Sequence, residues 1–507
     1  MNLTSADVMV QISALRFLTD FEFLFCRLSH VKQRRISMKE KGSRKVNFPE
    51  AIILLVIVVF IMIWTTLIGQ IPTAVGLVYC AALCGIYGKI LGHTWDEMFK
   101  NILHVVHGAL PAIFLLLLVG FISASWIGSG TIPYMIYLGL ELMHPTIYLF
   151  SAFLLCAIAS IVTGSSWAIV SSLGIALIGI ASGLGVPLPI AAGAIVSGCF
   201  LGDKWSPLSD TPNLAAATNR RDIVQIFTSM IPTSGIGAII AAAAFLILGF
   251  FLPHSANTDT SGIEILKSGL QDSFSFNIFL LLPVILVFIL AARKVAIMPV
   301  LAGGVAIASI EALLFQKMSL VDLSSAMWNG YVADTGNEIL DSLLSRGGVM
   351  SVAELIMLLF AALTFAGIIE KIGVLDAIME KLLSIIHNRP VLIFSTILTT
   401  ILTVLLSSSV YVSIILNGKM YEKAYNKLEL DNIVLARTTL ESSVYLGGMI
   451  PWSGGAMLVI SSLNVAAWSY VPWVFGFYAG LLMTIIWGFT GHFSAKPLPD
   501  TLSDEET

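Results

Sequence analysis

The sequence predicts an all-α polytopic membrane protein with about 11 to 13 membrane segments, since one crossing takes about 20 apolar residues. Three observations carry that fold class. Of 507 residues 57% are hydrophobic and 11% charged, against about 25% charged in a soluble domain, and mean hydropathy is +0.92. The few charges are clustered: Leu142–Gly202, Ala51–Gly88, Ile223–Thr258 and Ser442–Ala495 carry none. Glycine and proline also interrupt several apolar segments, which marks broken or re-entrant helices rather than plain spans.

The chain begins with a weakly apolar piece, Val8–Cys26, followed by Arg27, Lys32, Arg34, Arg35, Lys39, Lys41, Arg44 and Lys45. Met38 is an alternative start, so residues 1–47 are set apart as an N-terminal extension. Basic flanks stay inside, which places the N-terminus in the cytoplasm and the chain in the cell (inner) membrane. Crossings are expected at Ala51–Gly69 and, after a Gln70-Ile71-Pro72 turn, up to Gly88, while His93–His107 reads as an interfacial helix or loop. Further segments follow at Ala109–Ile127, Pro145–Val162, Trp167–Ser182 and Leu188–Leu201, then a polar region Gly202–Asp222. Beyond it come Phe227–Leu252, a polar connection Pro253–Phe274, Phe276–Ala292, Val295–Phe315 and a long polar loop, Gln316–Gly348. Val352–Ile369, Val391–Leu406, Ile433–Met449 and Val471–Thr490 complete the set. The expected organisation is a first membrane half (48–252), connecting spans with the long loop (253–350), a second half (351–492) and a polar tail (493–507).

The two halves resemble each other at one offset. Thr163-Gly164-Ser165-Ser166-Trp167 precedes Pro207 by 44 residues, and Ser407-Ser408-Ser409-Val410-Tyr411 precedes Pro451 by the same 44. A shift of 244 also pairs Ser209 with Ser453 and Phe121 with Phe365. A duplicated core with broken helices is how many transporters build a site at the repeat interface. Spacing alone leaves open whether the halves are inverted.

The segment with most chemistry is Gly202–Asn213, which ends the longest charge-free run. Asp203, Ser206, Ser209, Asp210, Thr211 and Asn213 supply two carboxylates, three hydroxyls and an amide. Pro207 and Pro212 interrupt a helix and free carbonyls beside them. Oxygen-rich sets of this kind suit a hard cation such as Na⁺, with Asp203 and Asp210 as its candidate ligands. Removing a carboxylate from bulk water disfavours its charged form, so a proton and a cation can compete for it. The plainer alternative is a solvated loop in which Asp203 and Lys204 are surface charges. Thr163, Ser165, Ser166, Ser407 and Ser408 offer further hydroxyls, unless they only bond their own helices. Glu441 and Glu370 are either second titratable groups or membrane-boundary carboxylates, and Asp334, Asn337 and Glu338 are either gating or solvated.

Other chemistry lacks its residues. Net charge is −4, which gives no footprint for nucleic acid. The five cysteines show neither metal-site spacing nor a disulfide framework. The eight histidines stand singly, and no serine has a base implicated beside it, so no enzyme and no cofactor is expected. A non-transporting membrane scaffold fits the hydropathy but not the oxygen clusters.

Gly202–Ala217 (GDKWSPLSDTPNLAAA) resembles the signature of the NhaC family of Na⁺/H⁺ antiporters, which also includes malate/lactate exchangers. Thr163–Gly185, Thr335–Gly348 and Leu363–Val374 agree, and the resemblance runs from about Phe48 to Thr490. It implies an ion-transporter fold with inverted repeats and alternating access, exchanging Na⁺ for H⁺. Asp203, Ser206, Ser209, Asp210, Thr211 and Asn213 fall on the family motif, as do Thr163, Gly164, Ser165 and Ser166. The second half departs from it: Glu441–Ser453 carries Tyr445, Gly447-Gly448 and Ser453, and is less polar and more open. An organic acid or amino acid is therefore the alternative cargo, bound at Ser-rich helix starts. The expected partners are Na⁺, H⁺, such a solute and the lipid bilayer, with room left for a homo-oligomer.

Overall fold

Every regular element among the described residues is a helix, the arrangement that satisfies backbone groups within lipid. The computed structural model describes residues 44–65, 71–252, 260–337, 340–341 and 344–493. The basic cluster upstream of Arg44, the Met38 start, Gln70 of the expected turn, Glu338 and the tail from residue 494 lie outside the described residues. The first part comprises α1 (Phe48–Ile63), α2 (Thr73–Ile90), α3 (Trp95–Gly128), α4 (Thr131–Leu142), α5 (Pro145–Thr163), α6 (Ser166–Gly183), α7 (Leu188–Trp205), α8 (Asp210–Asn219) and α9 (Ile223–Phe251). A connecting group follows: α10 (Thr260–Ser273), α11 (Leu282–Ala292), α12 (Ile297–Leu314) and α13 (Leu320–Asn329). The last part holds α14 (Val349–Lys371), α15 (Val374–Ser384), α16 (Arg389–Ser407), α17 (Val410–Lys427), α18 (Asn432–Ser443), α19 (Gly454–Leu463), α20 (Ala467–Tyr470) and α21 (Phe475–Thr490).

Among the described residues, eight helices are long and apolar enough to cross a membrane, and ten if each of two sharply bent pairs (102° and 87°) is one span. Two of the expected segments are not among these. Leu188–Leu201 and Ile433–Met449 belong to α7 and α18, which are buried inside the bundle and carry polar side chains instead of facing lipid. The shorter apolar helices α1 and α21 bring the apolar segments among the described residues to twelve, within the expected 11 to 13.

Three boundaries also differ from expectation. His93–His107 is no separate interfacial piece but part of the 34-residue α3. Thr94 and Glu97 form its capping box. At 1.5 Å per residue α3 is about 50 Å long, so it extends beyond a hydrocarbon core of about 30 Å. The polar region expected from Gly202 starts inside a helix, since α7 continues through Asp203 and Lys204 to Trp205. Pro212 sits in the first turn of α8, where its missing N–H is harmless, so only Ser206–Ser209 breaks the chain.

The repeat is written in the helix ends. α5 spans 145–163 and α16 389–407; α8 spans 210–219 and α19 454–463. The starts of α6 and α17 (166, 410) and of α7 and α18 (188, 432) keep the same 244 offset. So do left-handed turns at Gly164 and Ser408, and at Arg220 and Asn464. Packing is reciprocal: α6 lies against α19, and α17 against α8. Each half thus lends its first broken helix to the second break of the other.

Gly164 has φ +72, and a Cβ there would sit 2.6 Å from Leu208 Cβ and 2.8 Å from its carbonyl carbon. Ser408 holds the equivalent conformation, φ +57, with a side chain. A left-handed non-glycine residue costs about 1–2 kcal/mol. Gly164→Ala is therefore expected to lower the thermal unfolding midpoint of the detergent-purified protein, followed by tryptophan fluorescence, while Ser408→Gly leaves it unchanged or raises it.

Candidate ion-binding site

The breaks of both halves converge on one cavity of about 890 Å³. Its wall contains the α5–α6 turn, the α16–α17 turn, and the starts of α8 and α19. Each helix start is capped by a serine. The Ala168 N–H donates to Ser165 Oγ at 3.2 Å and the Val412 N–H to Ser409 Oγ at 3.3 Å. Ser209 and Ser453 accept from Thr211 and Ala456 N–H at 3.4 and 3.2 Å. Four helix N-termini, each with partial positive charge, therefore border the same space.

Asp203 enters this cavity from the last turn of α7. Gly198 and Gly202 let α7 approach α5 closely: a Cβ at Gly202 would meet the Ala157 carbonyl oxygen at 2.5 Å. That contact holds the carboxyl beside the α5–α6 break. Ser209 Oγ donates to Asp203 Oδ1 at 2.7 Å and lies 3.3 Å from Thr211 Oγ1. The Ser166 hydroxyl stands beside Asp203 without closing a hydrogen bond to it. Asp203 is 8% exposed, whereas Asp210, the first residue of α8, opens to the cavity. A carboxylate, hydroxyls and helix-end carbonyls form a hard-oxygen set.

The structure brings together Thr163, Ser165, Ser166, Asp203, Ser209, Asp210, Thr211, Ser407 and Ser408 on the cavity wall. Thr163 and Ser407 spend their hydrogens on their own helices, donating to Ala159 O at 2.9 Å and Thr403 O at 2.6 Å. Ser407 Oγ also accepts from the Ser409 N–H at 3.3 Å. Ser408 Oγ has no partner. Glu370, His104 and Lys294 also line the cavity. Ser206 and Asn213 stand outside it and shape the turn: Ser206 Oγ donates to Ile161 O at 2.7 Å, and Asn213 Nδ2 to Pro207 O and Ser209 O at 2.9 and 2.7 Å.

Glu441 does not reach the cavity. It accepts from Lys204 Nζ at 2.6 Å, with neither side chain exposed. The hydroxyls of Thr233 (2.7 Å) and Ser234 complete its shell, and Lys204 also donates to Ser234 Oγ at 3.0 Å. The Tyr445 ring lies 4.6 Å from Nζ. A π-helical turn at Ile231–Gly235 presents both hydroxyls. Sequence reasoning missed the pair, having weighed Lys204 only as a surface charge. A signal was present: one lysine lies at the end of a charge-free run and one glutamate just before another, where an opposite charge from elsewhere in the chain is the means of burying either.

A model of the Na⁺/H⁺ antiporter family matches residues 198–492. The chain is 34% identical over 444 residues to a malate-2H⁺/Na⁺-lactate antiporter of Bacillus subtilis, covering 88% of this chain and 95% of that protein. It is 33% identical to the arginine/ornithine antiporter ArcD of Halobacterium salinarum (86% and 90% covered). It is 31% identical to the Na⁺/H⁺ antiporter NhaC of Alkalihalophilus pseudofirmus (88% and 96% covered).

Removing one member of a buried ion pair costs about 3–5 kcal/mol, because the other charge is stranded. Lys204→Met and Glu441→Gln are each expected to destabilise by that order in thermal unfolding. The Lys204→Met/Glu441→Gln double variant should recover much of the loss, which a double-mutant cycle measures.

Proposed function

The chain belongs to the Na⁺/H⁺ antiporter family, and from that premise we propose that it exchanges Na⁺ for H⁺ at Asp203 by alternating access. Its relatives are antiporters, and it is a multi-pass membrane secondary antiporter. One observation carries the finer reading: a buried carboxyl at a helix break, bonded to Ser209, in a cavity where both halves' breaks meet. Na⁺ binds the carboxylate with nearby hydroxyl oxygens; a proton takes its place when Na⁺ leaves. Asp210, at the rim of the same wall, attracts the cation and assists its transfer. The reciprocal packing of the halves supports inverted repeats rocking about the shared site. The N-terminus is cytoplasmic in this reading, in an inner membrane, with the basic residues Arg44 and Lys45 ahead of α1.

A second reading has its own observation. At the 244 offset Asp203 corresponds to Gly447 and Asp210 to Gly454. Ser453 Oγ donates to the Gly447 carbonyl at 2.7 Å, where Ser209 in the other half meets a carboxylate. The second half thus presents a helix start without its own anion, in a cavity roomier than a bare ion needs. An organic carboxylate fits that side, as the named activities of the malate/lactate and arginine/ornithine relatives suggest.

Proteoliposomes with an internal pH dye separate these readings. Na⁺ pulses alone should move protons, and Asp203→Asn should abolish that movement; wild-type rates in that variant would remove Asp203 from the site. Proton movement that begins only with added malate, lactate or arginine would instead establish the second reading. In that case Gly454→Asp, which restores the missing carboxylate, should suppress the solute-dependent flux at least tenfold (about 1.4 kcal/mol).

A further inference from the structure

Glu311 is a buried carboxyl that the exchange site does not use. It lies on α12, 3% exposed, and among the described residues it has no ion pair. Its Oε1 has no hydrogen-bond partner, and its Oε2 has one contact, Thr131 Oγ1 at 3.5 Å. An ionised carboxylate stripped of water with a single long contact is among the costliest groups a protein can bury.

The neighbouring hydroxyls indicate where the hydrogens go. α3 ends at Gly128, and the Gly130 N–H bonds to Ile127 O, so the carbonyl of Trp126 needs a side-chain donor. Ser129 Oγ supplies it at 3.2 Å. The 2.7 Å contact between Ser129 Oγ and Thr131 Oγ1 can take its hydrogen from either residue, so Thr131 has Ser129 and Glu311 competing for the one hydrogen it can give. Thr131 Oγ1 thus donates to Glu311 Oε2 only at 3.5 Å, the outer limit of a hydrogen bond, which is too little to compensate a buried negative charge.

We propose that Glu311 is a proton-binding site separate from the exchange cavity, occupied in the packed conformation of the α3–α4 corner and vacated when that corner opens. The groups around it leave the proton as the only compensating ligand. α3 offers Asp96, Glu97, Lys100, His104 and His107, all in its first half, while Glu311 adjoins its far end. α11 has no charged residue, Arg293 and Lys294 following it near the cavity; α13 has Asp322, and α4 has Tyr134, Tyr137 and Glu141. Lys317 and Tyr331 lie in the adjoining loops. None is paired with Glu311. The site is placed to communicate with transport. The start of α12 at Ile297 lines the cavity, and Glu311 stands about 21 Å along the same helix. Loss of the proton leaves a bare carboxylate between α12 and α3, two helices whose other ends form the cavity wall.

Infrared spectroscopy of the full-length protein in lipid tests this. A protonated carboxyl gives a carbonyl stretch distinct from that of a carboxylate. The wild type at neutral pH should show one such band that is absent in Glu311→Gln, retained in Asp203→Asn and shifted in Glu311→Asp. Raising pH should remove it together with a fall in Na⁺-driven proton flux, and Glu311→Gln should flatten that alkaline fall while keeping the neutral-pH rate. Identical acid bands in the wild type and both Glu311 variants would overturn the proposal. So would a Glu311→Gln protein with an unaltered pH profile.

Discussion

A salt bridge with no access to water ties the molecule together. Lys204 belongs to the first half and Glu441 to the second, yet their charged atoms are 2.6 Å apart. Such a pair persists only when its remaining hydrogen-bonding capacity is filled, and several elements are bent to that requirement. The π-turn of α9 widens the helix so that Thr233 and Ser234 reach Glu441. On α21 Gly480 is needed for space, since a Cβ there would approach Glu441 Oε2 to 2.8 Å. The pair also orients the exchange site: successive side chains on a helix project about 100° apart. With Lys204 locked toward α18, Asp203 on the same turn is directed away from it, into the cavity.

Duplication supplies the frame, and loss of symmetry within it supplies the chemistry. Both halves keep a helix, a left-handed turn, a serine-capped restart and a second serine-capped restart at a constant offset. Only the first half fills the frame with Asp203, Lys204 and Asp210. In the second, Gly447-Gly448 replaces the charged pair, and the helix gives way to a short 3₁₀ turn after Ser443. There Gly455 comes so near the Gly447 carbonyl that a Cβ would stand at 2.3 Å. One side of the cavity is anionic and the other a backbone surface.

Much of this was readable from residue order, and what was not has a common cause. Charge-free runs reveal the membrane, and Gly, Pro and Ser reveal the breaks, because both are local properties. The Thr163–Ser166 and Ser407–Ser409 turns were found by their spacing, and the structure puts them on one wall. The hidden features are long-range pairings. Nothing near Glu441 announces that its partner lies 237 residues away. Glu311 looks like an ordinary charge on an apolar helix until three-dimensional packing shows that, among the described residues, no cation pairs with it and one hydroxyl only just reaches it. The true length of α3 was masked because its first half carries histidines and charges, which end an apolar run without interrupting a helix.

The two sides of the cavity bear on coupling. Four helix starts bring partial positive charge to a space that also holds the carboxyl groups of Asp203, Asp210 and Glu370. In the proposed exchange, a cation bound at Asp203 would leave the opposite, glycine-lined side with its positive potential uncompensated. An anion entering there is favoured by both the helix starts and the bound cation, and each then raises the affinity of the other. A proton at Asp203 neutralises the carboxylate without placing a cation in the space, so it recruits the anion less strongly. One frame can therefore support bare cation–proton exchange or solute-coupled exchange. The outcome depends on how completely the second half has lost the charges that the first retains.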